Sequence, residues 1–167
     1  LASMGIYVFD RRFLVQTLRE LKKRFDNLDF GKHVVPHLVR RRLVSAWRYG
    51  GYWLDIGTLG AYYRASLDLL GNRSRLGLYR DRRPVLTVSD DRPPLLVHRS
   101  ARVSRSLVCN GCVVRGEVEN SILSPGVVVE KGARVSNSIL FHGTTIRGGA
   151  EIRNAIVDKH CVVGRGA

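Results

Sequence analysis

The most constraining feature of the sequence is a short motif that recurs four times in its second half. Each copy places a small residue before two apolar ones, at 105–108, 120–123, 137–140 and 154–157. The steps from Ser106 to Ser121, from Ser121 to Ser138 and from Ser138 to Ala155 are 15, 17 and 17 residues. Two further series run in phase with it, one at 111–114, 126–129, 143–146 and 160–163, the other at 132–135, 149–152 and 166–167. Three strand-like segments per ~17 residues predict three sides per turn.

The spacing within the motifs indicates how such turns fill their interior. An apolar residue recurs two places after a small one, in the pairs Ala133 and Val135, Ala150 and Ile152, and Cys112 and Val114. A small residue fits a corner, and the larger one fills the interior. Residues 101–167 are therefore predicted to form a parallel β-helix of triangular cross-section, in which stacking of turns supplies the core. The alternative, a β-sandwich, does not explain three phased series.

The first half of the chain, residues 1–75, shows the mixed pattern of an α/β fold. Strand-like runs rich in β-branched and aromatic residues stand at 5–9 and 45–49. Three helices are predicted: over 11–21 after an Asp10 N-cap, over 33–42, and from a Thr58 N-cap through Leu70. Residues 76–100 are interpreted as a linker, with loop-like runs at 80–84 and 90–94.

Composition narrows the class of partner. There are 28 Lys and Arg against 14 Asp and Glu, a net charge of +14. The cations are spread along the chain, and the sequence indicates no helix with a continuous basic stripe and interleaved aromatics. The charge is therefore interpreted as a solvated arginine-rich surface or a phosphate-ester site, not as a nucleic-acid site.

The sequence also indicates the cellular compartment of the protein and whether the chain is a fragment. Apolar runs reach about five residues where a bilayer span needs roughly 20, so no membrane association is expected. Three cysteines cannot build a disulfide framework, which favours a reducing, cytoplasmic setting. The chain begins at Leu1 and opens directly into a strand-like run, and we expect a fragment or a processed product.

Eight stretches resemble bacterial glucose-1-phosphate adenylyltransferase, also called ADP-glucose pyrophosphorylase. The stretch Tyr52-Trp53-Leu54-Asp55-Ile56-Gly57-Thr58 is similar to one found across sugar nucleotidyltransferases. Ala2-Ser3-Met4-Gly5 together with Asp29-Phe30-Gly31-Lys32 is narrower and points to the glucose-1-phosphate adenylyl branch. The remaining matches are Val35-Pro36, Ala61-Tyr62-Tyr63, Asp68-Leu69-Leu70, Pro93-Pro94 and Ile156-Val157-Asp158-Lys159.

The resemblance implies a fold and an activity. It implies that residues 1–75 are the C-terminal part of a Rossmann-like nucleotidyltransferase domain and that residues 101–167 are a left-handed β-helix. The family makes ADP-glucose and pyrophosphate from ATP and glucose 1-phosphate for glycogen synthesis, requires Mg²⁺, is tetrameric and responds to phosphorylated metabolites. Its glycine-rich nucleotide loop has no match here, so this chain alone is expected to be inactive.

The same resemblance nominates site residues. Asp55 matches an aspartate at the metal and sugar site, and a carboxylate is a ligand that Mg²⁺ favours. Ser3 matches a serine that contacts glucose, Gly5 would admit a close backbone approach, and Lys32 is a candidate phosphate contact. Lys159 matches a lysine used for effector binding in plant-type and cyanobacterial members, although the linker after Thr87 departs from those members.

Other interpretations of the sequence remain open. Another sugar-phosphate nucleotidyltransferase shares the broader motif. A hexapeptide-repeat acyltransferase uses the same triangular helix as a trimer, with a histidine base such as His142 or His160. A non-catalytic regulatory or assembly module is the third class. The Cys109–Cys112 pair lacks the second pair that a zinc site needs, and Cys112 and Cys161 are interpreted as packing residues.

Overall fold

The computed structural model describes residues 3–71, 78, 85–88 and 91–167. The chain divides into two compact units, Leu1–Trp53 and Leu54–Ala167, called here the N-terminal unit and the solenoid unit. The loop-like run predicted at 80–84 lies outside the described residues. So do Ser89 and Asp90, two of the linker residues that follow Thr87. Among the described residues, no helix is long and apolar enough to cross a membrane.

The N-terminal unit is built around two helices. Helix α1 spans Arg11–Lys22, and the Asp10 carboxylate accepts the backbone N–H of Phe13 at 2.9 Å, as predicted for an N-cap. A π-helical turn, Phe30–Val34, leads directly into α2, Val35–Arg40. The small core of this unit contains Leu21, Val34 and Leu38, packed against Phe9, Phe13, Leu18 and Leu28.

The strands predicted at 5–9 and 45–49 are not formed. Neither segment has regular secondary structure, and neither pairs with a strand in the described part of the chain. Ile6 is 74% exposed and Val8 is 96% exposed. A strand needs a neighbour to satisfy its backbone groups and to cover its side chains, and β-branched composition alone does not supply one.

The solenoid unit begins with a helix. Helix α3 spans Leu59–Leu67 and continues as a 3₁₀ turn, Asp68–Leu70. The Thr58 hydroxyl accepts the backbone N–H of Ala61 at 3.2 Å, so the predicted N-cap is confirmed.

In the part of the chain that the structure describes, thirteen short strands wind as three parallel sheets, and the predicted three-sided parallel β-helix is confirmed. The first sheet, sheet A, contains β1 (Leu96–Val97), β4 (Val113–Val114), β7 (Val128–Val129), β10 (Thr145–Ile146) and β13 (Val162–Val163). Sheet B contains β2 (Arg102–Ser104), β5 (Glu117–Glu119), β8 (Arg134–Ser136) and β11 (Glu151–Arg153). Sheet C contains β3 (Leu107–Val108), β6 (Ile122–Leu123), β9 (Ile139–Leu140) and β12 (Ile156–Val157).

The interior and the corners follow the sequence pattern. Ala133 and Val135 are buried in the solenoid core, as are Cys112 and Val114, so the pairs predicted for corner and interior do fill it. One corner of the triangle needs a left-handed backbone at a non-glycine residue in each turn. The residues there are Arg105, Asn120, Asn137 and Asn154, with φ of 46°, 45°, 47° and 50°. Asparagine tolerates this conformation better than most residues.

The single 15-residue step has a local cause. The corner between β4 and β5 holds only Arg115 and Gly116, whereas the corner between β7 and β8 holds four residues, 130–133. A Cβ on Gly116 would lie 2.3 Å from the carbonyl oxygen of Ala133. The shortened corner therefore requires glycine because of close backbone approach, without a positive φ.

The solenoid starts earlier than the sequence boundary at residue 101. Strand β1, Leu96–Val97, pairs in register with Val113–Val114, inside the segment interpreted as a linker. Its corner lacks the glycine that marks later corners and instead carries His98-Arg99-Ser100 before Ala101. The repeat is therefore hard to recognise in the sequence of the first turn.

Candidate functional site

Three of the nominated site residues lie in one aromatic-lined part of the N-terminal unit. The Ser3 hydroxyl is 3.0 Å from the Tyr7 hydroxyl and accepts the backbone N–H of Gly5 at 3.2 Å. The Tyr7 ring stacks on Phe30, with centroids 6.1 Å apart. Lys32 follows Phe30 by two residues in the π-helical turn. The fold thus brings the 3–7 segment next to the turn that carries Lys32.

The local geometry gives Gly5 and Lys32 additional structural roles. Gly5 has φ of +71°, which favours glycine whether or not a ligand approaches, and no heavy atom lies within 4 Å of a Cβ built there. The backbone N–H of Lys32 donates to the Asp29 carboxylate at 2.7 Å, which caps the turn. The Lys32 side chain is exposed, so its ammonium group is accessible to an anion.

Asp55 lies in the loop before α3, in the solenoid unit. Its Oδ1 atom accepts the backbone N–H of Gly57 at 3.1 Å, and the side chain is exposed. This bond is a turn contact within the loop. One carboxylate oxygen thus orders the loop, and the group still faces solvent.

The residues present supply only part of the ligand set that Mg²⁺ takes in proteins. Among the described residues there is no group of three or more His, Cys, Asp and Glu side chains that could hold a metal. Magnesium in nucleotide enzymes usually keeps several waters and takes one or two carboxylates together with substrate phosphates. Asp55 fits the role of such a single protein ligand.

Lys159 occupies an exposed corner of the last turn. Its backbone N–H donates to the Asp158 carboxylate at 2.8 Å, and the neighbouring His160 has φ of 56°. The Thr144 hydroxyl donates to the Asp158 carbonyl at 2.8 Å, which ties this corner to the one below. The backbone of Lys159 is held, and its ammonium group is exposed.

Cys112 and Cys161 behave as packing residues at matching corners of the solenoid. Cys112 is buried, and burial raises the pKa of its thiol, which disfavours the reactive thiolate. Its Sγ atom donates to the Ser124 carbonyl at 3.1 Å. Cys109 is exposed, and the neighbouring protein atoms still raise the pKa of its thiol through partial desolvation. Cys161 is half-buried at the matching corner.

A basic helix face was missed from the sequence. Arg11, Arg12 and Arg19 line a shallow cavity of about 500 Å³ along α1, together with Val15 and Gln16. None of the nominated site residues contributes to it. Helical spacing of these arginines, beside the apolar positions that define α1, was the signal available in the sequence.

Comparison with known families finds two matches, one in each half of the chain. Residues 1–72 match the family described as nucleotidyl transferase. Residues 93–167 match the family described as GlmU-like, C-terminal hexapeptide. The two matches follow one another along the chain and agree with a catalytic-domain portion followed by a β-solenoid.

Curated relatives carry both parts together. Glucose-1-phosphate adenylyltransferase of Clostridium acetobutylicum is 40% identical over 131 residues, which cover 77% of this chain and 34% of that protein. Glucose-1-phosphate adenylyltransferase 2 of Alkalilimnicola ehrlichii is 37% identical over 180 residues, covering 99% of this chain and 42% of that protein. The Bacillus cytotoxicus enzyme is 36% identical, covering 99% of this chain and 43% of that protein.

The chain is a homologue of the glucose-1-phosphate adenylyltransferases. The resemblance predicted from the motifs at 2–5, 29–32 and 52–58 is therefore confirmed. The chain spans between 34% and 43% of the length of these three relatives. It matches a portion of each relative, and the nucleotidyl transferase match precedes the hexapeptide match along the chain.

Proposed function

We propose that this chain is the C-terminal part of an enzyme that makes ADP-glucose and pyrophosphate from ATP and glucose 1-phosphate. The observation that carries the proposal is the similarity of nearly the whole chain to enzymes of that name, across both family segments. The proposed place of work is the cytoplasm, which suits three free cysteines. The chain alone is proposed to be inactive.

The reaction joins two polyanions. A phosphate oxygen of glucose 1-phosphate attacks the α-phosphorus of ATP, an O–P bond forms, and the bond to the departing pyrophosphate breaks. Because both reactants are negatively charged, catalysis requires positioning and neutralisation of charge. A bound Mg²⁺ supplies part of that neutralisation when it is present.

The residues of this chain take separate roles in the proposal. Asp55 would hold a magnesium ion through its exposed carboxylate, while its bond to the Gly57 N–H keeps the loop in place. The Ser3 hydroxyl both donates and accepts, which suits a sugar hydroxyl, and Tyr7 orients it. The Lys32 ammonium group meets a phosphate of the substrate.

The proposal extends to regulation by an effector and to assembly into an oligomer. Lys159 binds a phosphorylated metabolite through its exposed ammonium group, and the enzyme works as a homo-oligomer, a tetramer as in the family that it resembles. The described structure supports this only in that Lys159 is exposed on a fixed corner. No observation favours the acyltransferase alternative, since residues 1–72 match a nucleotidyl transferase family instead.

The decisive experiment measures pyrophosphate release in the full-length gene product that contains this chain. Asp55→Asn is expected to lower turnover at least 100-fold, a loss of about 3 kcal/mol of transition-state stabilisation. Asp26→Asn, which changes an exposed aspartate in the N-terminal unit, is the matched control and is expected to leave turnover unchanged. Unchanged kinetics with Asp55→Asn would refute the site assignment.

A second variant tests the substrate contact separately. Ser3→Ala is expected to raise the KM for glucose 1-phosphate several-fold and to leave the KM for ATP unchanged, because only the sugar loses a hydrogen-bond partner. Equal effects on both substrates would indicate a general loss of structure. Absence of activity in the unaltered full-length protein would refute the proposed reaction itself.

A further inference from the structure

The outer face of sheet C is apolar, which is unusual for the wall of a solenoid. Registered pairing places Leu107, Ile122, Ile139 and Ile156 in one row. The residues that follow two of them, Leu123 and Leu140, belong to the interior core. Because side chains alternate along a strand, the row lies on the outside.

Sheet B shows the contrast. Its registered row alternates in charge, as Arg102, Glu117, Arg134 and Glu151, and faces solvent. Sheet C instead buries Ile139, which is 2% exposed but is not part of the solenoid interior. Another segment must therefore cover it.

Helix α3 contacts the solenoid on both sides of Ile139. The Tyr63 hydroxyl donates to the backbone carbonyl of Asn137 at 2.5 Å. The Tyr62 ring lies with its centroid 6.3 Å from that of Phe141. Since Asn137 and Phe141 bracket strand β9, these contacts place α3 over Ile139.

The anchor on the solenoid side is itself well held. Asn137 donates its backbone N–H to the Glu119 carbonyl at 3.1 Å, and its Oδ1 accepts the side-chain N–H of Asn120 at 2.8 Å. Phe141 donates its backbone N–H to the backbone carbonyl of Val157 at 2.9 Å. The partners of α3 are therefore fixed by stacking of one turn on the next.

The N-terminus of α3 follows the loop that contains Asp55. The Asp55 carboxylate accepts the N–H of Gly57, and Thr58 caps the helix that Leu59 opens. The Tyr62 backbone N–H donates to the Thr58 carbonyl at 2.9 Å. The hydrogen-bonded Asp55 loop thus leads, with no intervening residue after Gly57, into the Thr58 cap and the first turn of α3.

We propose that Tyr63 is a positioning residue, which fixes the Asp55 loop by clamping α3 to the Asn137 corner of the solenoid. In this proposal the solenoid has a second role, because it determines the position of the Asp55 carboxylate. This inference rests on the proposed role of Asp55 and deepens it. Tyr62 contributes apolar cover, and Tyr63 contributes the directional bond.

The clamp is tested first on this chain, without any activity. Tyr63→Phe keeps the ring and removes only the hydroxyl that donates to Asn137. Amide hydrogen exchange at Ala61 and Tyr62 is expected to speed up ~3- to 10-fold, the effect of losing one net hydrogen bond from the docked helix. Exchange within β7 and β10 is expected to stay as in the unaltered chain, and Tyr49→Phe, at an exposed tyrosine, is the matched control.

Unchanged exchange at Ala61 and Tyr62 in Tyr63→Phe would overturn the clamp. Faster exchange in the solenoid strands as well would also overturn it, because Tyr63 would then be a general stability residue.

The second stage links the clamp to Asp55 in the full-length gene product. Tyr63→Phe is expected to raise the Mg²⁺ concentration needed for half-maximal turnover several-fold, with the KM for glucose 1-phosphate unchanged. If Asp55→Asn inactivates and Tyr63→Phe loosens α3 but the Mg²⁺ dependence stays the same, the positioning role fails while the proposed function stands. If Asp55→Asn has no effect, the proposed function fails instead.

Discussion

Gly116 offers the sharpest test of how the solenoid accommodates its irregular turn. In Gly116→Ala, the new Cβ would lie 2.3 Å from the Ala133 carbonyl oxygen and 2.6 Å from the Glu130 carbonyl oxygen. Both are backbone atoms of the next turn, so no flexible side chain can move away. The Ala133 carbonyl also accepts the N–H of Glu117 at 2.9 Å, and a shift strains that bond.

The expected cost combines two effects. Overpacking in a tight site costs about 1–3 kcal/mol, and a weakened backbone hydrogen bond adds about 0.5–1.5 kcal/mol. A total of about 3 kcal/mol corresponds to a fall in Tm of roughly 6–12 °C for a chain of this length. Thermal unfolding followed by circular dichroism measures it.

Two further variants separate the proposed cause from a general sensitivity to alanine. Gly164→Ala, at the matching corner of the last turn, meets no atom within 4 Å and is expected to leave Tm nearly unchanged. Inserting two residues between Arg115 and Gly116 restores the four-residue corner, and Gly116→Ala is expected to be tolerated in that background. A Tm for Gly116→Ala within about 2 °C of Gly164→Ala would refute the close-approach argument.

Three other perturbations follow from single contacts. Asn137→Val is expected to destabilise the chain by about 1–2 kcal/mol relative to Asn137→Gly in urea unfolding, because φ of 47° disfavours a β-branched residue; equal midpoints would contradict this. The Gly148 N–H and then Arg147 lower the pKa of Glu130, so its stabilisation is present above the unfolded pKa and is lost as pH falls through the folded value. Glu130→Gln should therefore lower Tm at pH 7 and converge with the unaltered chain near pH 2, whereas parallel curves would count against it. Asp10→Ala is expected to cost about 1 kcal/mol through loss of the α1 cap, and Asp26→Ala serves as the control.

The sequence predicted best what depends on local repetition. The small residue and the apolar residue two places later lie in the interior, as Ala133 and Val135 show, because each turn repeats one environment. The caps at Asp10 and Thr58 were also predictable, since a side chain and a backbone N–H three residues later are enough to form them.

What depends on distant contacts was not predictable from patterns. The run at 5–9 has the composition of a strand yet pairs with no strand in the described part of the chain. The first turn, at Leu96, lacks the corner glycine that marks the others. The contact between Tyr63 and Asn137 joins residues 74 positions apart, and no local spacing indicates it.

The compact unit that begins at Leu54 changes how the solenoid should be isolated for study. A recombinant fragment cut where the hexapeptide match begins, at residue 93, would lack α3 and leave the isoleucine row of sheet C open to water. Such a fragment is expected to self-associate or precipitate, because an exposed apolar sheet surface promotes non-specific association. Expression from Leu54 retains the natural cover and is the better starting point for crystallisation.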